Sequence, residues 1–199
     1  MAERGSWTIE MGRPEEAIRL PVGEIGDLSA WAEMTARSRV GYDAGDDLVE
    51  EYAQMILDST RDSDKREPVL AYLLPLEDEA VELARFEVSD LNPDEEVPEI
   101  TLDALESFYS QPRAEPVEPP HVVRGDLPCG PAVRIHRRYL TDVDEFGDGT
   151  LLQTALYAVR PHGTDFAVVL SASWQAVLMN DELFALVDEL AHSLTVTPA

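Results

Sequence analysis

The sequence predicts an α+β domain in which helices pack on an antiparallel sheet. Three observations point there. The last third reads as successive strands separated by turn residues. The part before it mixes amphipathic helical stretches with short extended runs. A hydrophobic content of 44% over 199 residues is enough to build a core. Chains of this length commonly form one domain, and the reading taken is a single domain over residues 1–199.

Each element has its own warrant. Trp7, Ile9 and Met11 alternate along a first strand, and Ala17 to Val22 is a second short extended run closed by Pro21 and Gly23. Leu28, Trp31, Ala32 and Thr35 recur at helical spacing between Asp27 and Arg39, with Asp27 or Ser29 as cap. Gly41 to Gly45 breaks the chain. Leu48, Tyr52, Met55, Ile56 and Ser59 then line one face of a second helix, which Asp62 to Lys65 ends. Pro68 to Leu76 and Ala80 to Val88 read as a hairpin turning at Glu77-Asp78. Thr101 is an N-cap for a short helix through Tyr109, with Leu102, Leu105 and Tyr109 inward.

Gln111 to Pro120 holds four prolines, so it is an extended connector and the one candidate domain boundary. Strands follow over 121–125, 132–140, 151–160 and 166–174. Pro128 to Pro131, Gly147 to Gly149 and Pro161 to Gly163 supply their turns. A final helix over Asp181 to Leu194 carries Leu183, Val187, Leu190 and Leu194 along its core face, joined by Phe184 and Ala191.

Charge narrows the classes of partner. There are 40 Asp and Glu against 15 Lys and Arg, a net charge of −25 at pH 7. Such a chain repels nucleic-acid phosphates and anionic membrane surfaces, and it attracts a basic protein. One cysteine, Cys129, leaves no internal disulfide, which suits a reducing compartment. The first residues lack the apolar run of a signal peptide, and the expected location is the cytoplasm.

There is no glycine-rich phosphate loop and no Gly-x-Ser-x-Gly nucleophile turn. The expectation is no cofactor. His121, His136, His162 and His192 are scattered, and Cys129 has no partner cysteine, so no metal is expected. Asp90 to Asp94 and Asp142 to Gly147 begin like calcium loops. Glu95 and Thr101, then Phe146 and Gln153, stand where the required ligands or glycine belong, so both read as solvated acidic loops. Ser171 and Ser173 face away from the apolar row of their strand, where small side chains commonly sit under a helix. Cys129 reads as a spectator in a turn, with pairing to His121 as the remote alternative. Trp31 and Trp174 read as core residues and Trp7 as a surface anchor.

One constellation stands out. Arg134, His136 and Arg138 sit two residues apart on one strand, which puts all three on the same face. Val133, Ile135, Arg137 and Tyr139 take the other. The basic stripe would hold an anion or a carboxylate-bearing partner, or pair internally with the chain's own carboxylates. Arg124 and Arg160 lie at neighbouring strand ends and would extend it.

The C-terminal third also carries a resemblance. Leu127 to Arg134 (LPCGPAVR) is followed by a hairpin and by Tyr157 to Pro161 (YAVRP). Then come a strand ending at Ser171-Ala172-Ser173 and a helix around Leu183 to Ser193. This pattern resembles actinobacterial proteins related to the Mog1/PsbP-like fold. The resemblance implies a curved antiparallel sheet flanked by helices, a layered sandwich. Members of that fold are mostly binding or assembly proteins: Mog1 proteins bind a small GTPase, and PsbP proteins assist photosystem assembly. It therefore implies an adaptor-like role and transfers no partner or site residue.

The expected function is a non-catalytic, acidic protein-binding or regulatory module. One alternative is an immunity or chaperone protein that neutralises a basic toxin or secreted effector. The other is an enzyme with a dispersed site near Arg134 and His136, which requires that face to be open rather than covered by a helix. A homodimer through the meander edge or a helix face fits the same pattern.

Overall fold

The protein is described by a computed structural model covering residues 7–23, 26–41, 43–76, 79–95, 98–111, 116–141, 143 and 149–198. The turn at Glu77-Asp78, residues 147–148 and most of the acidic segment from Asp142 to Gly147 lie outside the described residues.

In chain order the strands are β1 (Trp7–Glu10), β2 (Ile18–Arg19), β3 (Leu70–Pro75), β4 (Glu82–Leu91), β5 (His121–Leu127), β6 (Gly130–Thr141), β7 (Thr150–Val159), β8 (Ala167–Trp174) and β9 (Thr195–Pro198). The helices are α1 (Leu28–Val40), α2 (Asp46–Asp64), α3 (Leu102–Tyr109) and α4 (Asn180–Ser193). A 3₁₀ turn over Val177–Met179 leads into α4.

Seven strands make one sheet in the order β2-β3-β4-β8-β7-β6-β5, and every neighbouring pair is antiparallel. β4 and β8 pair from Ala84↔Trp174 to Leu91↔Ala167, so strands from before and after the proline connector share one sheet. β1 and β9 form a separate two-stranded ribbon. The first strand expected from Trp7 to Met11 is thus present but lies outside the main sheet.

Local chemistry starts the helices. The Asp27 carboxylate accepts from the Ala30 amide at 3.0 Å, and the Thr101 hydroxyl accepts from the Ala104 amide at 3.1 Å. Each satisfies an amide that a helix start leaves without a partner. α2 lacks a side-chain cap and instead places Asp46 and Asp47 in its first turn, where the helix dipole favours negative charge.

The two sheet faces follow the period of two. On one, Phe86, Val88, Leu170, Trp174, Tyr157 and Val159 pack against Leu183, Val187 and Leu190 of α4 and Leu194 just past its end. Burying each of these large side chains contributes roughly 1.5–3 kcal/mol. The other face has two covers. α1 and α2 lie over Ala71 and Leu73 at the β3 side, through Ala32, Ala36, Tyr52 and Ile56. α3 lies over Val133, Ile135, Ala158 and Val169 through Leu105, with Ile100 beside it. Val49 of α2 is buried and Leu48 only partly so, a small rotation from the predicted helix face.

Helices on both faces of a seven-stranded antiparallel sheet are consistent with the Mog1/PsbP-like architecture that the C-terminal stretch suggests.

Candidate functional site

Between the two covers, the second face stays open as a groove of about 480 Å³. Its floor is set by register. Arg85 on β4 pairs with Ser173 on β8, Ser173 with Thr154 on β7, and Thr154 with Arg137 on β6. These four residues therefore form one row across four strands, spaced by roughly 4.8 Å per strand. Leu152 and Leu156 flank Thr154 on the same face of β7, and Tyr139 follows Arg137 on β6. Ser171 and Ser173 lie on this floor, not under a helix.

The α2 side of the groove is a charge network. Glu87 is 7% exposed. It accepts from Arg66 Nε at 2.7 Å and Nη2 at 2.6 Å, and from the Ser63 hydroxyl at 2.6 Å. Arg85 forks onto Glu82 through Nε at 3.0 Å and Nη2 at 2.5 Å, and reaches Asp62 through Nη1 at 2.6 Å. The Ser59 hydroxyl donates to Glu82 at 2.6 Å. Burial works to raise the Asp62 carboxyl, but hydrogen bonds and charge from Arg66 and Arg85 outweigh it and hold it below its ordinary value. Bidentate pairs of this kind fix both partners in one orientation, so this wall is rigid.

The predicted stripe lies on the opposite face. The Arg134 guanidinium sits 5.0 Å from the Phe184 ring centre and 3.4 Å from the Asp188 carboxylate, both on α4. The Tyr157 hydroxyl donates to the same carboxylate. His136 stacks on Trp174, with ring centres 6.4 Å apart, and meets Phe184 edge-on at 5.0 Å. Burial lowers its pKa from the ordinary value, while Gln153 and Glu118 pull the other way. Arg138 pairs with Glu118 at 3.3 Å.

The strand period thus puts the three residues on one face, as expected, but they do not converge on one site. His136 and Arg138 border a cavity of about 350 Å³ with Gln153, Asn180, Asp181 and Glu182, while Arg134 borders a separate one of about 170 Å³ with Tyr157 and His192. Phe184 of α4 packs on both Arg134 and His136, so α4 lies over part of the face that the enzyme alternative required to be open. Arg124 points the other way and is held by Asp103 and Glu106 of α3 at 2.6 Å each.

The remaining candidates resolve simply. Cys129 follows the end of β5 and His121 begins it, so a full strand separates them. Burial raises the Cys129 thiol, the wrong direction for a nucleophile. Asn92 donates to Asp90 at 2.5 Å within the first acidic loop. Among the described residues, no three or more His, Cys, Asp or Glu side chains are grouped to hold a metal ion. Trp174 is buried as expected, and Trp7 is 36% exposed, with its ring edge-on to Phe166 at 5.9 Å.

The groove is what sequence reasoning missed. The sequence carries a partial signal: strand period puts Arg137 and Tyr139 opposite the stripe, and Ser171 and Ser173 opposite the apolar row. Only the pairing of β8 with both β4 and β7 shows that these polar faces are continuous.

No family model matches the chain, and no curated protein matches it either. Among solved structures it is similar to LpqN of Mycobacterium tuberculosis, a protein involved in cell envelope biogenesis. That likeness has 15% identity and a TM-score of 0.53, and covers 98% of this chain and 87% of LpqN. A variant of Mog1 aligns at 12% identity and a TM-score of 0.37, over 63% of this chain and 78% of that one. Among the described residues, no helix is long and apolar enough to cross a membrane. The likeness to LpqN is one of fold, and it runs through almost the whole chain rather than the C-terminal third alone.

Proposed function

We propose that this chain is a non-catalytic binding or regulatory module that receives its partner in the groove between α2 and α3. One observation carries the reading: an open concavity of about 480 Å³ with one wall already locked by Arg66–Glu87 and Arg85–Glu82. A site whose shape is set in advance loses less entropy on binding.

Filling the groove tests this. Ser173→Trp places a large ring on the floor. A partner captured from host lysate by the native protein and lost with S173W supports the reading. A partner held equally by both proteins places binding elsewhere and sinks it.

The net charge of −25 favours a second reading. A basic protein would be held on the acidic surface, as an immunity or chaperone protein holds a basic toxin or secreted effector. Capture would then weaken steeply from low to moderate salt and be indifferent to S173W. Both readings place the chain in the cytoplasm, which fractionation of host cells checks.

A further inference from the structure

Resting on the groove reading, we propose that the groove binds an apolar carboxylic acid, with Arg137 gripping its carboxylate. The inference starts from three arginines lining one groove. Arg66 offers its Nε and Nη2 edge to Glu87, and Arg85 offers the same edge to Glu82. On Arg137 the same two nitrogens are shielded from water, and neither has a hydrogen-bond partner among the described residues. In a chain with 40 Asp and Glu, no carboxylate among the described residues sits on the fork of this groove arginine. Shielded donors without an acceptor are unfavourable, and a two-oxygen planar acceptor relieves both at once.

The surroundings fit such a head group. Thr154 lies directly across from Arg137, and Ser173 is next in the row, so two hydroxyl donors extend from the guanidinium along the floor. Gripping a carboxylate over this row requires the Arg137 guanidinium to turn about its outer torsions, because its fork is shielded from the groove in the ligand-free chain.

Charge selects a monoanion. Arg66 and Arg85 offset two of the three carboxylates Asp62, Glu82 and Glu87, and Arg137 offsets the third, so the charged lining sums to zero. A carboxylate leaves one negative charge there and a phosphate dianion leaves two. The body of the ligand is apolar because Leu152, Leu156 and Tyr139 flank the row. A volume of about 480 Å³ falls in the range of small-molecule sites.

Titration calorimetry with octanoate, acetate, 1-octanol and octyl phosphate tests this on the native protein, R137K, R137M and S173W, each first checked for native unfolding behaviour. Octanoate is expected to bind at one site, about ten-fold or more tighter than acetate or octanol. R137M should lose about ten-fold in octanoate affinity and leave octanol unchanged, with R137K between, since Lys keeps the charge and loses the fork. Equal binding of octanoate by native protein and R137M overturns the role of Arg137. Octyl phosphate binding as tightly as octanoate overturns the choice of a monoanion. Octanoate binding unaffected by S173W overturns the location. If S173W abolishes partner capture while octanoate fails to bind the native protein, the carboxylate proposal falls and the groove reading stands.

Discussion

Arg66 of the segment just past α2 holds Glu87 of β4 by both nitrogens of one guanidinium edge, at 2.7 and 2.6 Å. The two partners differ in exposure: the Arg66 side chain is 46% exposed and that of Glu87 9%. Removing either therefore has a different consequence. Arg66→Ala leaves a buried carboxylate with only Ser63 to bond and should cost about 3 kcal/mol. Glu87→Gln leaves a half-exposed guanidinium that water and Asp62, 2.9 Å away, still satisfy, and should cost about 1 kcal/mol. Urea denaturation of both variants checks the order; a larger loss for E87Q would mean that the carboxylate is better solvated than its burial implies.

His136 makes stability depend on pH. Burial between Trp174 and Phe184 lowers its pKa below that of the unfolded chain. The facing charges are Glu118, which opposes this, and Arg138 and His121, which add to it. Below the unfolded value of about 6.5, the unfolded state takes up a proton before the folded state does, so stability falls as pH drops through that window. His136→Phe keeps an aromatic ring against Trp174 and removes the proton. Its urea midpoint should change less between pH 7.5 and pH 5.5, on the order of one such titrating group, than that of the native protein. Equal slopes for both would show that other groups govern that range.

The legible part of the fold was the part written locally. Asp27 and Thr101 cap helices where a side-chain acceptor precedes an apolar periodic run, and both do so here. The face assigned to Arg134, His136 and Arg138 followed from strand period alone. What was not legible depends on contacts between distant segments. β9 is four residues long, too short to signal a strand by its own period, and its pairing with β1 at the other end of the chain makes it one. The groove required knowing that β4 lies beside β8, a neighbour no local pattern specifies. The sequence leaves open whether Arg134 holds a partner or pairs internally, because it shows the charge of Arg134 and not its neighbour Asp188, on a helix 54 residues further on.

Tyr157 offers a spectroscopic readout of that same cluster. Burial first, then its hydrogen bond to Asp188, pushes its pKa up to about 12, against the opposing pull of Arg134. The unfolded chain releases this proton near pH 10, so the contribution to stability is full below that value and is lost as pH rises toward 12. In a near-ultraviolet absorbance titration, one tyrosine should ionise late in the native protein, and that step should vanish in Tyr157→Phe. The substitution should cost about 1 kcal/mol at neutral pH, because Asp188 is partly exposed and keeps Arg134. An unchanged late step in Y157F would assign it to another tyrosine, with Tyr52, also raised by burial, the next to test.

Gly130 and Gly125 provide an internal control for the β5–β6 hairpin. A Cβ on Gly130 would lie 2.1 Å from the Arg160 carbonyl oxygen and 3.0 Å from Pro161 Cα, both backbone atoms with little freedom to yield. The chain after β7 is tied there by Arg160 N to Pro131 O and His162 N to Cys129 O, each 2.9 Å. Gly130→Ala must push these segments apart and should cost about 3 kcal/mol, the upper end for overpacking. Gly125, in the partner strand, meets nothing within 4 Å, so Gly125→Ala should be neutral or stabilising by about 0.5 kcal/mol. Hydrogen exchange at the His162 amide separates local from global effects: it should quicken in G130A beyond what the loss of global stability accounts for, and stay unchanged in G125A. If G130A unfolds like the native protein, the close approach of the hairpin to Arg160 is not maintained in solution, because a backbone separation of that size leaves no room for a methyl group.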